Sequence, residues 1–73
     1  DIARLIRFLA EGLPAKQRLV FILRDMEGLP SREVEALTGL PEESVKSNLF
    51  HARKRVREQM NRILEKERSI KWS

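Results

Sequence analysis

Cysteine is absent from the 73 residues, which excludes disulfides and thiolate metal ligation and fits a reducing compartment. A single histidine, His51, cannot build a metal cluster, so neither a metal nor a cofactor is expected. Apolar runs are short: the longest, Leu19 to Leu23, falls far below the roughly 20 residues of a membrane span, and no signal-peptide pattern stands at the visible end. A cytoplasmic chain without membrane insertion is the expectation. No nucleophile has a base beside it in a recognisable pattern, and the adjacent Glu42 and Glu43 point differently on a helix, so an enzyme is not expected.

The length allows one small domain, which buries about 60% of its unfolded surface. The chain opens at Asp1 with an apolar helical pattern already running at Ile2, so a piece of a longer protein is expected. Net charge is +4, unevenly placed: residues 1–45 carry six basic and eight acidic side chains, residues 46–73 nine and three. Cations concentrated on one element favour a polyanionic partner, because steering follows local potential more than the total. A basic amphipathic helix can also lie on a membrane, but Asn, Ser and His on its polar face fit groove reading better.

Ile2, Leu5, Ile6 and Leu9 repeat at the spacing of one helix face, and Glu11-Gly12-Leu13-Pro14 closes that first helix. After Pro14, which suits a first-turn position, Leu19, Ile22, Leu23 and Met26 predict the inward face of a second helix, broadened by Val20 and Phe21. Glu27-Gly28-Leu29-Pro30 repeats the earlier turn chemistry without implying a duplication. A short third helix follows, with Ser31 as N-cap, Glu33 in its first turn, Val34 and Leu37 inward, and Gly39 as a left-handed stop. From Pro41 no breaker interrupts a fourth helix that runs to about Glu67, with Glu42 and Glu43 complementing its dipole. The fold class is therefore all-α, a small four-helix domain with a helix-turn-helix and a long C-terminal recognition helix, spanning residues 1–68 before a 69–73 tail. Trp72 in that tail receives no function.

At about 100° per residue, Val45, Leu49, Ala52, Val56, Met60 and Ile63 fall in one sector of the fourth helix and should face the core. Opposite them lie Ser47, Phe50, Lys54 and His51, flanked by Lys46, Arg53 and Arg57 on one side and Asn48, Arg55 and Arg62 on the other. A solvated face rarely carries a large aromatic among cations, so Phe50 calls for a partner unless it lies in the core. Duplex DNA supplies phosphate oxygens and thymine methyls.

Three stretches carry a resemblance. They are Leu13-Pro14 with Arg18 and the run to Leu23-Arg24-Asp25; Glu27-Gly28-Leu29-Pro30-Ser31 with Glu33-Val34; and Gly39-Leu40-Pro41 leading to Ser44-Val45-Lys46-Ser47-Asn48-Leu49-Phe50-His51-Ala52-Arg53. Together they resemble the C-terminal promoter-binding domain, conserved region four, of extracytoplasmic-function sigma factors. The resemblance implies a four-helix domain whose last helix enters the major groove of the minus 35 promoter element. It also implies a surface for the β-subunit flap of RNA polymerase core, and sequestration by an anti-sigma factor as a further use. On the matched positions, Lys46, Ser47, Phe50 and His51 would approach base edges of double-stranded promoter DNA. Arg18, Ser31, Arg32, Arg53 and Lys54, with Arg57, would hold phosphates.

Two positions depart from the family pattern. Glu35 stands where a small residue is usual between the paired helices, and its carboxylate must reach solvent or a cation. His51 stands where an arginine is frequent, which alters base preference. Two other functions fit the same residues: a LuxR-type output domain dimerising through its final helix, and a helical module that grips an acidic partner protein through Phe50 and the basic helix.

Overall fold

The computed structural model describes the backbone of residues 1–72 and the side chains of residues 1–67. Four helices follow in order: α1 (Ile2–Glu11), α2 (Ala15–Phe21) continuing into a π-helical turn (Ile22–Met26), α3 (Ser31–Thr38) and α4 (Glu42–Trp72). Asp1 caps α1, its Oδ1 accepting from the backbone N–H groups of Ala3 at 2.8 Å and Arg4 at 3.4 Å.

Three Leu-Pro pairs open the other three helices. Pro14 and Pro30 are extended, and the carbonyls of Pro14, Pro30 and Pro41 each accept the first i to i+4 bond, from Arg18, Val34 and Val45 at 2.8, 3.2 and 3.0 Å. Proline fits there because that residue's own N–H would have no partner inside the helix. The preceding leucines turn inward: Leu13 is buried, and Leu29 and Leu40 pack against the core that holds Val34 and Val45.

Among the described residues positive φ is confined to two glycines, Gly28 and Gly39, both at +74°. Gly28 permits the Leu29 N–H to reach back to the Leu23 carbonyl at 3.0 Å, which closes the π turn. Gly39 ends α3 as expected, its N–H donating to the Glu35 carbonyl at 2.9 Å.

Each helix contributes to one core: Ala10, Leu13, Val20, Phe21, Val34, Val45, Leu49, Ala52 and Val56. The largest side chains fully removed from solvent are three valines, Val20, Val34 and Val45, and Ala10 and Ala52 are also fully buried. Small, stiff side chains where the helices meet let their axes approach closely. The buried stripe on α4 follows the predicted spacing through Val56, with Met60 packed against its far end, whereas Ile63, expected inward, is half-buried and lies outside this core. The molecule measures 49 × 20 × 16 Å, and α4 accounts for the long dimension, since its 31 residues span about 46 Å.

Several expected details are corrected. Leu19 is 45% exposed because α2 turns Val20 and Phe21 inward instead. Ile2, at the outer end of the α1 face, is 67% exposed. Leu37 is 65% exposed, because the Thr38 hydroxyl donates to the Val34 carbonyl at 2.7 Å and accepts from Leu40 N–H at 3.2 Å, and this turn sends Leu40 into the core side. Ser31 is not the N-cap: Pro30 holds that position and Ser31 is already helical. The fourth helix continues to Trp72, past the expected end near Glu67. The side chains of the expected 69–73 tail, Trp72 included, lie outside the described residues.

Leu49→Ala removes a buried side chain from the stripe and is expected to lower unfolding free energy by about 2–5 kcal/mol. Leu37→Ala, despite its apolar residue type, should stay within about 0.5 kcal/mol. Urea unfolding followed by circular dichroism compares the two; equal losses would contradict the packing described.

Candidate nucleic-acid interface

Residues 46–57 of α4 carry five cations and no acidic residue. Lys46, Ser47, Phe50, His51, Arg53, Lys54, Arg55 and Arg57 are all exposed, while Val45, Leu49, Ala52 and Val56 are buried between them. Phe50 is 62% exposed and meets the His51 ring edge to face, with centroids 5.3 Å apart and planes at 79°. The aromatic thus stands on the cationic face and not in the core. Asn48 is tied to its own helix, Nδ2 donating to the Ser44 carbonyl at 2.8 Å and to Ser44 Oγ at 3.2 Å.

Two ion pairs occur among the described residues, and they differ in kind. Lys46 Nζ lies 3.0 Å from Glu42 Oε1, one turn away, with both side chains more than 60% exposed. Such a pair exchanges readily with solvent or a phosphate. Arg53 reaches across the fold: its Nε donates to Asp25 Oδ2 at 2.7 Å and its Nη2 to Oδ1 at 2.6 Å. The hydrogen bond to Asp25 raises the pKa of Arg53 above the usual guanidinium value; partial desolvation opposes this and the Asp25 charge adds to it. Arg32, Lys54 and Arg57 are exposed and have no ion-pair partner among the described residues.

Asp25 lies in the π turn, in which Glu27 N–H bonds the Ile22 carbonyl at 2.8 Å, five residues back. The neighbouring Arg24 serves the other helix of the pair. Its Nε donates to Ser31 Oγ at 3.2 Å and its Nη1 to the Leu29 carbonyl at 3.3 Å, fixing the entry to α3. Ser31 Oγ accepts there, which leaves its O–H able to donate. Two consecutive side chains on one wide turn therefore hold the start of α3 and the middle of α4.

The family model described as Sigma-70, region 4 matches residues 3–56. The chain belongs to the sigma-70 region 4 family. No curated protein and no solved structure matches it. The family is DNA-binding and non-enzymatic, and in sigma factors this region binds the minus 35 promoter element during transcription initiation with RNA polymerase. The match ends at Val56, the last buried residue of the α4 stripe, so it covers the packed domain and leaves the distal half of α4 outside. A LuxR-type output domain is thereby set aside. Among the described residues no helix is long and apolar enough to cross a membrane, and no group of three or more potential metal ligands occurs.

Within this sigma-70 region 4 domain the expected base-facing residues Lys46, Ser47, Phe50 and His51 share one exposed face of α4. The expected phosphate ligands divide. Arg32, Lys54 and Arg57 are exposed cations, Ser31 is half-buried beside Arg24, and Arg18 donates from Nη1 to the Glu11 carbonyl at 3.3 Å, closing α1. Arg53, expected at a phosphate, is half-exposed and bonded to Asp25 through Nε and Nη2. Glu35, half-buried, has no ion-pair partner among the described residues and leaves no orphaned buried oxygen, so its carboxylate reaches solvent. Arg24 and Asp25 are legible in sequence only as adjacent opposite charges before a glycine turn; nothing in their spacing points 28 residues ahead to Arg53.

Arg24→Ala removes a charged donor from two half-buried bonds and is expected to cost about 1.5–3 kcal/mol of stability. Lys46→Ala breaks an exposed one-turn pair and should cost less than about 0.5 kcal/mol. Thermal and urea unfolding of both variants measure the difference.

Proposed function

We propose that this domain reads a promoter minus 35 element as part of an extracytoplasmic-function sigma factor, laying the first half of α4 in the major groove. The observation that carries this reading is the division of α4: Phe50, Ser47, His51 and Lys54 outward, Val45, Leu49, Ala52 and Val56 inward. Lys46, Ser47 and His51 offer donors to base edges, and the Phe50 ring offers an apolar surface for thymine methyls. Arg32, Lys54 and Arg57, with Arg18 and the Ser31 hydroxyl, neutralise or bind phosphates and set the register of the helix on the duplex. His51 lacks the bidentate fork of an arginine, so guanine is not the base it favours most. Recruitment of the RNA polymerase core through the β-subunit flap belongs to the same reading, with the domain serving as the promoter-reading part of the initiating enzyme. An anti-sigma factor that covers this basic face would silence it by competition with DNA.

Selection of duplexes from a random pool, followed by titration at several salt concentrations, tests the reading. Lys54→Ala is expected to weaken preferred and scrambled duplexes alike and to make the slope of log affinity against log salt shallower by about 0.9. Ser47→Ala or His51→Ala should change which duplexes are preferred, by about 1–3 kcal/mol for each base-edge hydrogen bond removed, with little change in slope. Uniform losses from all three variants would contradict the division of roles.

A further inference from the structure

We propose that the Asp25–Arg53 pair is a specificity-determining positioning element, which fixes α4 over the π turn and withholds one cation from the phosphates, so that duplexes are sorted by their bases more than by charge. The inference rests on the DNA-reading role given above to α4.

The geometry distinguishes this pair from an ordinary surface ion pair. A two-bond fork, at 2.7 and 2.6 Å, fixes the plane of the guanidinium as well as its distance, whereas a single lysine bond fixes distance alone. It joins residues 28 positions apart, and one end lies on the same helix as Ser47, Phe50 and His51. Rotation of α4 about its axis would break the fork and swing those three side chains together. Asp25 is the more shielded partner, its side chain 24% exposed against 51% for Arg53.

Release of Arg53 to a phosphate would leave the Asp25 carboxylate unpaired beside a DNA backbone of the same sign, which disfavours the exchange. In the Lys46–Glu42 pair, one-turn and exposed at both ends, solvent screens the carboxylate that release would uncover, so the same penalty is smaller. The face thus holds one cation that exchanges easily and one that is retained. A retained cation contributes orientation without adding to sequence-independent attraction.

The test uses the 73-residue chain, a preferred duplex from the selection and a scrambled duplex of equal length, titrated across salt. Asp25→Asn frees Arg53, and the expected result is tighter binding of the scrambled duplex, a salt slope steeper by about 0.9, and preference for the selected duplex reduced at least fivefold. Arg53→Gln should reduce that preference similarly with the slope unchanged, because Arg53 neutralises no phosphate. Asp25→Asn with wild-type helicity, slope and preference would overturn the proposal, as would Arg53→Gln with a slope shallower by about 0.9. Should Asp25→Asn fail to fold, Arg53→Gln decides alone by the same readings. A wild-type chain that prefers no duplex overturns the DNA-reading role and this inference with it, whereas wild-type preference with unaltered variants overturns this inference only.

Discussion

Val45, Leu49, Ala52 and Val56 give α4 one apolar stripe, and α1, α2 and α3 each pack against that helix. The stripe is narrow and built from small or branched side chains, so it tolerates little rotation. Turning α4 by one residue would carry Lys46 or Arg53 toward a core that contains no polar partner. Burial of the stripe therefore does two things at once: it holds the helices together, and it dictates which residues of α4 meet solvent. The basic face is the complement of the core, and neither can move without the other.

Apolar packing sets the rotation of α4 coarsely, and polar bonds refine it. The wide turn at Ile22–Met26 places Arg24 and Asp25 so that one addresses α3 and the other α4. A half-exposed ion pair of this kind contributes about 0.2–1 kcal/mol, too little to hold the fold together. Its consequence is angular: a fork closed on a carboxylate has one favoured plane, and the helices it joins inherit that plane. Helix widening is common where side chains must be aimed, and here it aims two at once.

The parts of this arrangement visible in the sequence are those with long-range regularity. The α4 stripe can be read because 3.6-residue periodicity persists without a breaker beyond Pro41, and the turn at Gly39 because only a left-handed residue follows there. The inward face of α2 cannot, since Leu19 to Leu23 is an unbroken apolar run in which periodicity selects no side. Leu37 misleads for a different reason: the Thr38 hydroxyl bonds back to Val34 and forward to Leu40, and in this turn Leu40 takes the core position while Leu37 stays exposed. Ser31 is a favoured cap residue, but Pro30 precedes it with the required extended backbone and leaves the serine hydroxyl to Arg24. The exposure of Arg53 follows from the periodicity of its own helix, whereas its partner is hidden because a bond across 28 residues leaves no spacing to recognise.

Charge along α4 changes where the packed domain ends. Residues 46–57 carry five cations and no acid, whereas residues 58–72 carry Arg62, Lys66, Arg68 and Lys71 against Glu58, Glu65 and Glu67. The first stretch, at +5, attracts a polyanion far more strongly than the second, whose net charge is +1. The strongest attraction for a polyanion therefore lies on the N-terminal half of the helix, the half whose rotation the core and the Asp25 fork both constrain. Were the cations spread evenly over the 31 residues, phosphates could engage at many registers along about 46 Å, and base-facing side chains would lose a defined address. Sequence reading by a single helix needs that confinement as much as it needs the readers themselves.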